Sequence, residues 1–307
     1  MCTSLFRFAG LLVAGALAAS SADLDDSYQA LKDAVSKKDI AQVKQLASET
    51  CALARAASSS PAPAEAAEKD AWTKRVAYAR DVELYTEYAL SSTALTSQPE
   101  ITIDLLTALE QQSPKSRYLD AAYGAYLVAL TKTGAASKVP AVAEKALAHF
   151  PENEDLLLVM IDFNMNRKRA ALAGAQAERL LTVIRRHPVP EGMSAADWER
   201  KKTVALTRGS WVAGMAHAEK NEYMSCDKDL RVALPLVKGD SAMLASTLFH
   251  LAVSNYNLGR QSMNRARILE AANFSEQASK IPGPYQQQAW TNAHLMKSEA
   301  DRMIARK

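Results

Sequence analysis

Short breaks carrying proline or glycine fall at Ser113-Pro114, Phe150-Pro151, His187-Pro188-Val189-Pro190, Lys238-Gly239-Asp240 and Pro282-Gly283-Pro284, at intervals of about 35 to 50 residues. Between the breaks, apolar residues recur at helical spacing, and no stretch alternates as a strand would. A single helix pair cannot bury its own apolar stripe, whereas stacked pairs build a continuous core, so regular interruption of this kind points to a helical repeat array. Composition agrees: 48% of the 307 residues are hydrophobic but only 7% aromatic, the apolar content coming largely from Ala and Leu. The expected class is all-α. With 11 Gly, 11 Pro and 3 Cys, the chain is neither low-complexity nor a disulfide scaffold. A formal net charge of +3 carries no basic footprint, which makes nucleic acid and acidic membrane surfaces the least suitable partners.

Residues 1–22 read MCTSLFRFAGLLVAGALAASSA: one basic residue, Arg7, then an apolar run from Phe8 to Ala19 and small residues behind it. This is the pattern of a secretory signal peptide, with cleavage expected after Ala22 and an alternative site after Ala18. The run is shorter than the ~20 residues that span a bilayer, so no transmembrane anchor is expected and the mature chain should be a soluble periplasmic or secreted protein. Its remaining cysteines, Cys51 and Cys226, would meet an oxidising compartment that permits a bridge, although isolated cysteines more commonly pack as small buried side chains.

From Asp23 to Ala57 two apolar stripes, Leu24, Tyr28, Leu31 and Val35 and then Ile40, Val43, Leu46 and Leu53, flank Lys37-Lys38-Asp39. They predict a helical hairpin at 23–57. Small residues and two prolines at 58–68 read as a linker, and 69–307 as helix after helix.

Within that region Asp120–Asn153 places Tyr123, Tyr126 and Leu127 on one helical face, Gly134 at a turn, Ala146 on the second helix and Pro151 at the exit. In this register the segment resembles the 34-residue tetratricopeptide repeat (TPR), a pair of antiparallel helices. A second copy runs from Thr207, with Ala213-Gly214 at the expected helix crossing and Tyr223 after a turn at Asn221; a third runs from Ala245, with an expected turn at Leu258-Gly259-Arg260 and about seven extra residues behind it. Looser copies begin near Val82 and Glu154. Ser194, three residues ahead of Asp197, reads as an N-cap that extends a helix back through Trp198. Residues 285–307 read as a terminal capping helix with a polar outer face. The resemblance implies a right-handed α-solenoid whose concave face is lined by the first helix of each repeat. Carried onto this chain, the implied peptide-binding positions are Val128, Lys132, Leu158, Asp162, Asn166, Trp211, Met215, Glu219, Phe249, Val253, Tyr256 and Asn257.

No catalytic constellation competes with that reading. His149, His187, His217, His250 and His294 lack metal-ligand spacing, and neither cysteine has a CxxC partner. Phosphate-loop, nucleophile-elbow and dinucleotide motifs are missing from the sequence, so no cofactor and no metal are expected. The leading expectation is an exported, non-enzymatic scaffold for a protein or peptide partner. The alternatives are a helical enzyme or small-ligand binder with an interior pocket near His217 and His250, and a self-assembling structural subunit.

Overall fold

The computed structural model describes residues 9–190 and 192–305, with side chains for 23–190 and 192–303. The expected leader at 1–22 therefore lies outside the described side chains. Among the described residues there are thirteen α-helices and no strand, so the chain is all-α. It divides into two compact units between Val139 and Pro140.

The first unit contains α1 (Ala9–Lys37), α2 (Ile40–Ser58), α3 (Ala66–Leu95), α4 (Pro99–Gln112), α5 (Arg117–Lys132) and a single 3₁₀ turn at Ala136–Lys138. The hairpin α1–α2 is not tethered at a distance. Leu24 and Ala54 are buried together with Ala79 and Val82 of α3. Arg55 of α2 pairs with Glu83 of α3 at 2.6 Å and donates to the Gln112 carbonyl oxygen at 2.7 Å, satisfying an otherwise free carbonyl at the end of α4. The expected linker shortens to the residues between Ser58 and Ala66, and Trp72 Nε1 holds the Ser60 carbonyl oxygen at 3.1 Å. Burial of apolar side chains between hairpin and α3 is why the compact division falls at Val139–Pro140 and not at 58–68.

One turn geometry recurs along the chain. Lys38, Gly134, Lys168, Asn221 and Met263 all have positive φ, between 52° and 79°. In each case the next amide donates five residues back: Asp39 to Ala34, Ala135 to Leu130, Arg169 to Asn164, Glu222 to His217 and Asn264 to Gly259, at 2.8–3.0 Å. This is the Schellman closure, which satisfies helix C-terminal carbonyls through one left-handed residue. Gly134 and Lys168 lie 34 residues apart in this series.

The second unit holds α6 (Val139–Leu147), α7 (Glu154–Asn166), α8 (Ala170–Arg186), α9 (Ala195–Glu219), α10 (Tyr223–Ala233), α11 (Ser241–Gln261), α12 (Arg265–Ser279) and α13 (Gln286–Ala305). Ser194 caps α9 by accepting from the Asp197 amide at 3.1 Å, and Trp198 is buried behind it. From α7 onward each helix packs on the next, as in an α-solenoid. The helices α7, α9, α11 and α13 also touch one another in turn, while among the described residues no such contact joins α8, α10 and α12. The alternate helices from α7 to α13 therefore form the tighter side of this stack.

Small residues let consecutive helices of the stack approach closely. A Cβ on Gly174 of α8 would lie 2.5 Å from Ala216 Cβ of α9, and one on Gly214 of α9 would lie 2.5 Å from Leu230 Cδ2 of α10. Gly259 makes the corresponding approach to Ile268 of α12, at 2.8 Å. The expected turn at Leu258-Gly259-Arg260 is thus helix: α11 continues to Gln261, and the turn moves to Ser262–Asn264. The extra residues of this copy lengthen α11 because Gly259 is needed at a crossing. A buried polar network fixes register at the same place. Asp227 of α10 accepts from Arg231 at 2.9 Å, Arg267 at 3.0 Å and Asn255 at 2.5 Å, and Asn255, fully buried on α11, accepts in turn from Arg267 at 3.0 Å. Every charge there is compensated, the condition under which a buried charge is tolerated.

Gly174→Ala is expected to destabilise the protein by about 1–3 kcal/mol through overpacking against a methyl that cannot rotate away, in spite of the ~1 kcal/mol gained in helix propensity. Gly239→Ala, where nothing lies within 4 Å, should stay within about 0.5 kcal/mol of the parent protein. Urea denaturation of both variants checks the pair; equal midpoints would contradict the close crossing.

Candidate functional site

The tighter side of the second unit carries most of the residues that the repeat register singles out. On α7, Leu158 is half-buried against the cluster of Leu157, Ile161 and Leu180, while Asp162 and Asn166 are exposed. Asp162 accepts from Arg208 of α9 at 2.6 Å. The Arg208 guanidinium lies 5.2 Å from the centre of the Trp211 ring, and Trp211 Nε1 donates to Ser246 Oγ of α11 at 3.1 Å. One chain of polar contacts thus crosses three helices, with a half-buried indole in the middle of it. Trp211 also packs on both apolar clusters of this unit, the α7–α9 cluster and the α10–α13 cluster. The half-exposed ion pair and the cation–π contact are each worth no more than about 1 kcal/mol, so they orient the indole more than they stabilise the fold.

Further along, Met215 is half-buried and Glu219 is exposed at the end of α9. Val253 and Tyr256 of α11 rest on the second cluster. The Tyr256 hydroxyl donates to Glu299 of α13, which also pairs with Arg260 at 3.1 Å. Burial, reinforced by Glu299, pushes the Tyr256 hydroxyl above the ordinary phenol range and keeps it protonated as a donor. Asn257 turns its amide back onto the Val253 carbonyl oxygen at 2.8 Å. Phe249 departs from expectation: it is 7% exposed, its ring 4.8 Å from that of Tyr285, so it belongs to the core. Tyr285, just ahead of α13, is the ring that covers it. Val128 and Lys132 are exposed on α5, in the first unit. Arg208, Ser246 and Glu299, which join the face together, are not among the expected residues. Arg208 stands one turn before Trp211 on the same helical face, the one sequence signal that could have found it.

The two histidines of the interior-pocket alternative have separate surroundings. His217 is held by Glu222 through Nδ1 at 2.5 Å, with Glu178 and Asp229 at 3.3 and 3.4 Å from Nε2, and so cross-links α8, α9 and α10. His250 lies between Phe249 and Tyr285, with ring centroids at 5.2 and 5.7 Å. Burial among these rings pulls its pKa down to about 4. Both cysteines are free and buried; burial pushes the Cys226 thiol up to about 11 and raises Cys51 as well, away from the thiolate form that a nucleophile needs. No group of His, Cys, Asp and Glu that could hold a metal ion occurs among the described residues. No helix there is long and apolar enough to cross a membrane.

No family model matches the chain, and the curated proteins contain no significant match to it.

A neutral His250 in the fold and a protonated one in the unfolded chain give a definite sign. Below pH 6.5 the unfolded state binds a proton that the native state refuses, so this contribution is complete above pH 6.5 and is lost as pH falls toward about 4. The loss is on the order of 3 kcal/mol. His250→Phe should flatten the fall in urea midpoint across that window; an unchanged slope would show that the histidine is not the titrating group.

Proposed function

We propose that this chain is an exported, TPR-like helical scaffold that binds a protein or peptide partner and performs no chemistry of its own. The single observation that carries the reading is the tighter side of the second unit, where α7, α9, α11 and α13 adjoin and hold the half-buried Trp211 between Arg208 and Ser246. An anchored indole, ringed by apolar and polar side chains on rigid helices, is the usual make-up of a binding hot spot. The Schellman turns 34 residues apart at Gly134 and Lys168, and the Ala and Gly crossings, favour the tetratricopeptide form of solenoid. An extended or helical peptide with apolar anchors suits the mixture of Trp211, Met215, Val253 and Tyr256 with Asp162, Glu219 and Asn257.

Selection of a displayed random-peptide library on the mature protein tests this. Enriched peptides should lose at least about 10-fold in affinity for Trp211→Ala, a loss of ~1.4 kcal/mol that is modest for a hot-spot tryptophan. No enrichment, or equal affinity for the variant, would refute the face. Export has its own check. Cleavage after Ala22 leaves intact the packed part of α1, in which Leu24 is 2% exposed. N-terminal sequencing of the protein recovered outside the cytoplasm should therefore begin at Asp23; recovery of the uncleaved chain would contradict export by this signal.

A further inference from the structure

One half-buried histidine of the second unit lacks the partners that such a group ordinarily has. His250 stands one turn after Ser246 on α11, the residue to which the Trp211 indole donates, and so shares its helical face. Val253 and Asn257 continue that face at helical spacing. The Phe249 and Tyr285 rings meet the half-buried imidazole edge to face, with centroids 5.2 and 5.7 Å away. Neither of its nitrogens makes a hydrogen bond or an ion pair with any described residue. Nor are they sealed in: among the described residues, the unpartnered side-chain nitrogen and oxygen atoms shut off from solvent are Ser210 Oγ and Thr247 Oγ1. The ring is packed on aromatics while its polar edge stays open. Burial alone lowers its pKa, to about 4, and no charged side chain of α9, α11 or α13 takes part.

We propose that His250 is a recognition residue of the Trp211 face, whose open imidazole edge hydrogen-bonds an uncharged carboxamide of the bound peptide, from its main chain or from an Asn or Gln side chain. This inference rests on the binding role proposed for that face. Polar groups withdrawn from water are ordinarily hydrogen-bonded, so an open edge in an aromatic setting is where a ligand gains a bond without displacing a protein partner. A neutral imidazole has one N–H donor and one acceptor nitrogen, and with neither held, both tautomers are available. A carboxamide presents the matching acceptor and donor. Charged groups fit badly. A carboxylate would have to draw a proton onto the ring, against a roughly thousandfold bias toward the neutral form at pH 7. An ammonium would find no counter-charge facing the ring, and the indole of the same face already carries the Arg208 guanidinium. A bond at His250 then fixes the register of a peptide whose apolar anchor meets Trp211.

The test titrates the protein with a fluorescein-labelled copy of the most enriched peptide from the library selection, read by anisotropy at pH 7. His250→Phe, which keeps an aromatic ring and removes both nitrogens, should weaken binding about 5-fold. His250→Gln, which restores a donor and an acceptor, should bind more tightly than His250→Phe. Circular dichroism checks that both variants keep the helicity of the parent protein. A second readout needs no variant: in nitrogen-15 NMR spectra of the histidine-labelled protein, the neutral His250 ring should settle into one tautomer as peptide is added. Parent and His250→Phe should share one pH dependence of affinity between pH 8 and pH 6, because the imidazole is neutral throughout. Peptides that lose affinity for Trp211→Ala but bind His250→Phe as they bind the parent protein would overturn this inference and leave the face standing. Absence of any enriched peptide would overturn both. Proton uptake by His250 on binding, seen in the same spectra, would make the bound group a carboxylate and overturn the uncharged assignment.

Discussion

Close approach of helix backbones is the constraint on which the second unit depends. Where Gly174 meets Ala216, Gly214 meets Leu230 and Gly259 meets Ile268, no room remains for even one added methyl group without displacement. Protein interiors transmit such a fit over many atoms, because they pack at crystal-like density. Three tight crossings join α8 to α9, α9 to α10 and α11 to α12, and the adjacency of α7, α9 and α11 in the same stack lets a single polar chain run from Asp162 through Arg208 and Trp211 to Ser246. Larger residues at the crossings would force those helix pairs apart. The buried Asp227, Arg231, Asn255 and Arg267 network works with the glycines: apolar stripes slide at little cost, whereas an Asp227 displaced by one turn would strand a charge in the core.

The two units present different kinds of surface for physical reasons. In the second, a half-buried tryptophan is held by contacts from neighbouring helices, each contact weak by itself but together restricting the ring to one orientation. Preorganisation of this sort reduces the ordering cost of association and leaves the apolar area available to a ligand. In the first, α3 runs for 30 residues and spaces its tyrosines along an exposed flank, supported from either side by Tyr28 of α1 and Tyr118 of α5. Ionisable side chains serve cohesion in both units. His217 ties three helices through carboxylates, and Arg55 closes the end of α4 against α2 and α3.

Much of the architecture was readable because it rests on local signals. The helical period, the Ser194 cap, the left-handed Gly134 and the small residues Ala213-Gly214 at a crossing each depend on a few neighbouring residues. Signals with two physical meanings were misread. Gly259 looked like a turn because glycine favours turns, but a glycine inside a helix also permits close packing, and the turn fell to Met263, a residue with no turn signature. The prolines at 58–68 looked like a free linker, since nothing in the sequence shows that Leu24 and Ala54 find Ala79 and Val82. Register alone places Phe249 in the groove, whereas Tyr285, from a segment outside the repeat, covers it. Contacts between distant residues, such as Arg208 with Asp162 or Tyr28 with Tyr85, have no sequence period to announce them.

Hydrogen exchange read by mass spectrometry, on the protein with and without a saturating peptide selected on it, addresses the central claim directly: that the side on which α7, α9, α11 and α13 adjoin is the one that recognises a partner. Added protection concentrated in α7, α9 and α11, with α8, α10 and α12 unchanged, is the expected result. Protection confined to α8, α10 and α12 would place recognition on the opposite side of the stack and contradict the claim.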